Sequence, residues 1–224
     1  MTIHHHPGED LIFSYAAGVL AESWSIAIAS HLSYCPTCRQ KSRHADIVGA
    51  SLLEEVETEP LGTNAVNHVL SLIDGVEQEK IDDRGAPDVK NLASAERSIV
   101  PSALQHYVGS DLDNLPWQRL GSDASQYLIE TGDDEAKVRL LRIKADRPVP
   151  SHGHRGRELT MVLSGSFEDE YSRFGPGDLE DIDEGAVHKP IATSGEDCIC
   201  LAVTDAPLKF KELVPRLLQP VLKI

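Results

Sequence analysis

The apolar residues of this chain change period part-way along it, and that change limits the fold more than any other feature. Over the first ~80 residues they recur every three or four positions, the period of a helix buried along one face. Leu11, Tyr15 and Val19, with Ile12 and Ala16 beside them, predict a helix over 9–20. Ser23 is placed to cap a second that runs through His31, and Pro36 opens a third that reaches Leu53. Val66, Val69, Leu70, Ile73 and Val76 form the stripe of a fourth over 63–79. After Pro101 the period becomes two. The stretches 137–143, 159–163, 179–182 and 198–203 are short strand-like runs, parted by turns such as Phe174-Gly175-Pro176-Gly177-Asp178. Several strands at this spacing indicate an all-β sandwich or barrel. Between the two patterns lies a charged stretch with Gly85 and Pro87, which reads as a linker. The expected fold class is therefore α+β multidomain: a small helical domain over 1–85, a linker over 86–100 and an all-β domain over 101–224.

Charge narrows the partners. With 36 acidic against 21 basic residues the net charge is −15. Such a surface repels phosphate, so direct binding to nucleic acid is not expected, whereas a basic partner or simple solubility is. No apolar run approaches the ~18 residues of a membrane span, and no basic and apolar leader opens the chain. Four cysteines in two close pairs do not form a secreted disulfide framework. A cytoplasmic location is expected.

His31, Cys35 and Cys38 set one imidazole and two thiols about one helical turn apart, the spacing of a metal knuckle. Structural zinc prefers four ligands, so one more is needed. His4, His5 and His6 are the nearest suppliers, and His6, closest to the first helix, is favoured over the reading of these three as a tag remnant. The alternatives for Cys35 and Cys38 are a pair of buried thiols or a redox pair.

A second cluster lies in the β half. His152 and His154 stand two apart on an extended segment, and Glu158 keeps the same parity, so one strand face can carry all three. His188 follows on a later strand. Three imidazoles and a carboxylate suit a divalent ion. Cys198 and Cys200 share a strand face as well and read as core residues or as a redox pair, while His44, His68 and His106 have no partner spacing.

These residues resemble the cupin family, whose first motif ends in His-x-His-x3-Glu-x6-Gly, here His152, His154, Glu158 and Gly165. Gly177, Gly185 and His188 match its second motif. The departures are Asp146 for an opening glycine, Asp183 for a proline and Ala192 for a closing asparagine, all at turns rather than ligands.

A His-x3-Cys-x2-Cys helical domain ahead of a cupin resembles the ChrR-type anti-sigma factors of bacteria over nearly the whole chain. The resemblance implies Zn2+ held by His6, His31, Cys35 and Cys38, and Zn2+, Fe2+ or Mn2+ held by His152, His154, Glu158 and His188. It implies an extracytoplasmic-function sigma factor as partner, inhibited by the helical domain. Release would follow when the cupin meets singlet oxygen or an organic peroxide. On that reading the protein is not an enzyme. The alternative is a dioxygenase-like cupin metalloenzyme with a regulatory zinc domain, because three histidines and a glutamate leave coordination positions open.

Overall fold

The computed structural model describes residues 2–74 and 99–210 of the chain. Its helices are α1 (Glu9–Ala16), α2 (Glu22–Tyr34), α3 (Pro36–Glu54), α4 (Ala65–Asp74) and α5 (Ser102–Val108). The strands are β1 (Gln118–Arg119), β2 (Ala124–Ile129), β3 (Lys137–Ile143), β4 (His152–Gly153), β5 (Glu158–Ser164) and β6 (Phe167–Glu168). They continue as β7 (Arg173–Phe174), β8 (Leu179–Ile182), β9 (Val187–His188), β10 (Ile191–Ala192), β11 (Cys198–Thr204) and β12 (Lys209–Phe210). The α+β class expected from the change of period is the class observed. Three antiparallel sheets run β1-β2-β3-β11-β5-β8, β10-β6-β7 and β12-β4-β9.

The helix limits differ from the sequence reading in instructive places. α1 stops at Ala16 rather than at 20, because Gly18 takes φ +70 and the Gly18 and Val19 amides turn back onto the Tyr15 and Ser14 carbonyls. Ser23 does not cap α2. Ala21 holds that position without a side-chain bond, and the Ser23 amide and hydroxyl both donate to Asp133, at 2.9 Å each. α5 was not anticipated. It occupies seven residues between Pro101 and Gly109, and its buried Leu104 and Val108 are one turn apart. The outer part of the predicted fourth helix, 75–79, and the linker up to residue 98 lie outside the described residues.

Contacts divide the chain into two compact units, Met1–Gly49 with Ile99–Ile224, and Ala50–Ser98. The expected boundary at 85 falls outside the described residues, but residues 9–34 plainly share a core with the strands. On β5, Leu159, Met161 and Leu163 face outwards with Ile199, Leu201 and Val203 of β11, and they pack against Ile12, Ile28 and Leu104 of the helices. The opposite face of β11 carries Cys198 and Cys200 into a separate cluster with Val162, Phe167 and Phe174. This double coverage explains why all seven residues of β11 are buried. It also explains α2, which buries Ser23, Trp24, Ile26, Ala27, Ile28, Ser30, His31 and Leu32 and so shows little one-sidedness.

The segment ahead of α1 runs as an extended strap along β8. The His4 and His5 amides donate to Asp178 Oδ1 at 2.7 and 3.0 Å, and the Gly8 amide donates to Asp181 Oδ2 at 2.9 Å. The Leu179 amide donates to the His5 carbonyl at 3.2 Å. Arg157 closes the far end with a two-pronged bond to Asp181, 2.7 Å on each side, and a third to Asp10 at 2.6 Å.

The unit Ala50–Ser98 has a different character. Among its described residues α4 buries nothing. Val66, Val69, Leu70 and Ile73, on one helical face, are 64%, 54%, 52% and 50% exposed, and Leu52, Leu53, Val56 and Leu61 are exposed as well.

Candidate metal centres

The first centre forms where α2 gives way to α3. Cys35 leaves the helix with extended dihedrals (φ −93, ψ 107), Pro36 restarts it, and Cys38 falls in the new first turn, its amide donating to Cys35 Sγ at 3.4 Å. His31, one turn before Cys35, brings Nε2 to 3.4 Å from Cys38 Sγ. The strap supplies the fourth group: His6 Nδ1 lies 3.4 Å from Cys35 Sγ and 3.4 Å from Cys38 Sγ. Of the three N-terminal histidines, His4 and His5 are not in this group. His5 is held elsewhere, at 3.1 Å from Ser172 Oγ and against the Phe174 ring.

These distances fit a tetrahedral ion. Bonds of about 2.3 Å to sulfur and 2.0 Å to nitrogen at tetrahedral angles place S and N roughly 3.5 Å apart. The tautomer fits as well. His31 Nδ1–H donates to the Gly177 carbonyl at 3.0 Å, which leaves Nε2 bare towards the thiols. Burial lowers the His31 pKa to about 4, so the ring is neutral at pH 7, as a ligand must be. Burial also raises the Cys38 thiol, a cost that a coordinated cation would reverse.

The second centre lies inside the barrel. β4 and β9 pair with His152 directly opposite His188, so both rings project from one face. His154 follows two residues on, and Glu158 opens β5 with Thr160 Oγ1 donating to its Oε1 at 3.1 Å. His188 Nε2 is 3.0 Å from His152 Nε2 and 3.1 Å from His154 Nε2. Two bonds of about 2.1 Å at right angles give roughly this spacing. All four side chains are buried, with one donor atom from each within 4.8 Å of the others.

The hydrogen bonds around the rings fix which way each one faces. His152 Nδ1–H donates to the Pro150 carbonyl at 2.9 Å and His188 Nδ1–H to Asp169 Oδ2 at 3.0 Å. Both rings turn Nδ1 outwards, and their Nε2 atoms converge with that of His154 at the middle, an arrangement that a bound cation would satisfy. The titration behaviour divides the three rings. Burial lowers His152 and His154. Burial also acts to lower His188, but Glu180 and Asp169 outweigh it and lift that ring to about 9, so an ion bound there would displace a proton from it. Both groups can thus hold a metal ion.

Neither Asp169 nor Glu180 was singled out from the sequence. Asp169 lies in the β6–β7 hairpin, and Glu180 faces inwards from β8 opposite Thr160 of β5. An acidic residue between the apolar ends of a short strand was the available signal, but its inward parity depends on pairing that sequence does not display. Asp146, where the cupin motif opens with glycine, is the one described non-glycine residue at positive φ, +60. The backbone keeps the shape that a glycine adopts freely, and aspartate tolerates it. Cys198 and Cys200 face the same side with Sγ atoms 3.4 Å apart, both buried as free thiols.

Fold and ligand clusters together define a cupin with a helical His/Cys knuckle seated on its outer sheet. A family model described as the ChrR cupin-like domain matches residues 105–207. The anti-sigma-E factor ChrR of Cereibacter sphaeroides is 43% identical over 224 residues, covering 100% of both chains. The crystal structure of Rhodobacter sphaeroides SigE in complex with the anti-sigma ChrR covers 91% of this chain and 100% of that one, at 41% identity and a TM-score of 0.75. The chain belongs to the ChrR family of anti-sigma factors. No helix among the described residues is long and apolar enough to cross a membrane.

Proposed function

We propose that this protein is a cytoplasmic anti-sigma factor, not an enzyme, that binds an extracytoplasmic-function sigma factor and withholds it until an oxidant such as singlet oxygen or an organic peroxide acts on the cupin. Residues 1–85 would carry the binding function and 101–224 the response, joined through 86–100. The observation that carries this reading is the bare face of α4. Val66, Val69, Leu70 and Ile73 recur at helical spacing and stay half or more exposed, an amphipathic helix that buries no residue among those described. Such a face suits a helix or groove of a partner. The relative named an anti-sigma-E factor and the relative crystallised with SigE support that assignment.

His6, His31, Cys35 and Cys38 would hold zinc, which their soft thiolates favour. When bound, zinc supplies a cross-link that joins the strap to α2 and α3. His152, His154, Glu158 and His188 would hold zinc, iron or manganese, harder ligands that accept any of the three. The chain's own residues do the rest: Asp178 and Asp181 keep the strap in place, and Gly177 orients His31.

The test is co-purification of the full chain with its cognate sigma factor, wild type against Val69→Asp/Leu70→Asp. Both positions are exposed, so the variant should keep its circular dichroism and melting temperature yet lose the complex on gel filtration and free a sigma-dependent reporter. A complex of undiminished affinity would remove the basis for the assignment.

A further inference from the structure

We propose that Asp169 and Glu180 are positioning residues of the cupin metal centre: Asp169 grips His188 by Nδ1, Glu180 stands beside the same nitrogen, and Nε2 is thereby aimed at the ion. The proposal rests on the reading of His152, His154, Glu158 and His188 as ligands and deepens it.

Asp169 is built for this purpose. Its Oδ1 accepts the Tyr171 and Ser172 amides at 2.9 and 3.0 Å, and its own amide donates to the Ser172 carbonyl at 3.0 Å. The hairpin thereby fixes the carboxylate, whose side chain is fully buried, with Oδ2 at 3.0 Å from His188 Nδ1. Glu180 approaches the same nitrogen from β8. Its Oε1 lies 3.5 Å from Nδ1, is buried and has no hydrogen-bond partner. An isolated buried carboxylate oxygen is costly, and one aimed at an imidazole N–H is useful only if that imidazole carries or shares positive charge. Asp169, bonded directly to Nδ1, supplies that negative field, and Glu180 lies close enough to add to it. A carboxylate behind a ligating histidine fixes its tautomer and ring plane and strengthens the donor nitrogen.

At His152 the Nδ1 proton goes to a neutral acceptor, the Pro150 carbonyl at 2.9 Å. The anionic support therefore falls on His188, the ligand delivered from the far motif. Asp169, Glu180 and His188 also lie close enough to take an ion themselves. Nδ1 cannot serve both purposes, because its proton is the one Asp169 accepts, so the proposal requires a single ion in the barrel.

The experiment uses the full chain loaded with Zn2+ alone, and separately with Co2+ for its visible spectrum. Wild type should bind two ions, one lost on replacing His152 and His154 together, and failure there would count against the ligand reading itself. Given that baseline, Asp169→Ala should weaken the cupin ion about 10- to 100-fold in chelator competition and shift the cobalt absorption, with the knuckle ion unchanged. Asp169→Asn, which keeps an acceptor oxygen but not the charge, should fall between. Glu180→Gln changes no volume and serves if the hairpin variants misfold. It should weaken binding several-fold while the chelated protein melts as wild type does. Unchanged affinity and spectrum in Glu180→Gln and Asp169→Asn would overturn the proposal, as would a third ion that these substitutions remove.

Discussion

Gly177 shows how much can hang on one residue. It belongs to the cupin, yet its carbonyl accepts the His31 Nδ1 proton of the knuckle at 3.0 Å. Its φ of +87 suits glycine, and an added Cβ would lie 3.0 to 3.3 Å from Ile3 and Tyr34 side chains. Gly177→Ala is therefore expected to cost about 1–2 kcal/mol in urea unfolding from the backbone alone. It should also make the knuckle ion easier to extract with a chelator, although no ligand has changed. If extraction is no easier, the carbonyl does not orient His31. Gly177 was legible as a turn residue, but its bond to a histidine 146 positions earlier was not. Six of the eight proposed ligands, His31, Cys35, Cys38, His152, His154 and Glu158, stand out by local spacing, three or four apart on a helix and two or four apart on a strand, whereas His6 and His188 lie far along the chain from their groups. Asp169, Asp178 and Glu180 reach their partners only through tertiary pairing, which leaves no periodic trace.

Among the elements, α2 is capped from outside itself. Its N-terminal residue accepts two bonds, Tyr107 O–H to Glu22 Oε1 and the Gly132 amide to Glu22 Oε2, while Asp133 takes the Ser23 amide and hydroxyl. Ser23 Oγ is fully buried, so Asp133→Ala should cost about 1–3 kcal/mol by leaving it unpaired, measured by urea unfolding. No loss would mean that water replaces the aspartate. The Glu22 bond, foremost among the causes, pushes the Tyr107 phenol up to about 12. The folded chain then keeps a proton that the unfolded chain gives up near 10, so the stabilisation is whole below pH 10 and declines between 10 and 12. Tyr107→Phe should abolish that part of the alkaline slope. The long helices were readable because twelve or more residues repeat a period, whereas α5 has only Leu104 and Val108 to announce it. The cap on α2 could not be foreseen, since Asp133 comes from a turn 110 residues further on.

At the scale of the molecule, the helices and the cupin sheet of the larger unit share one core, while α4 keeps its apolar face bare. Binding and response should consequently be separable by mutation. In cells with a sigma-dependent reporter, Glu158→Ala or His188→Ala is expected to leave basal expression low and to blunt induction by singlet oxygen or organic hydroperoxide. Cys38→Ala should give constitutive expression, because the knuckle that arranges the strap, α2 and α3 would come apart. Normal induction in the Glu158 and His188 variants would move the response away from the cupin centre. The change of period made both halves visible in the sequence. That α2 uses the sheet as its other wall was not visible, since a helix buried all round reads the same whichever neighbour buries it.

The strap is held along its main chain by the cupin's acidic residues. Asp178 and Asp181 hold the amides of His4, His5 and Gly8, and β8 returns one bond from Leu179 to the His5 carbonyl. Proline at His4, His5 or Gly8 would delete a donor, and any side chain at Gly8 would meet Asp10 and Arg157, where an added Cβ would lie 2.3 and 2.8 Å away. Among the strap's side chains, His6 reaches the knuckle, His5 meets Ser172 and Phe174, and Ile3 packs beside the core. The seam between knuckle and cupin is thus inherited as geometry rather than as a motif, and its partners on the other side are two aspartates that look, letter by letter, like ordinary surface charge.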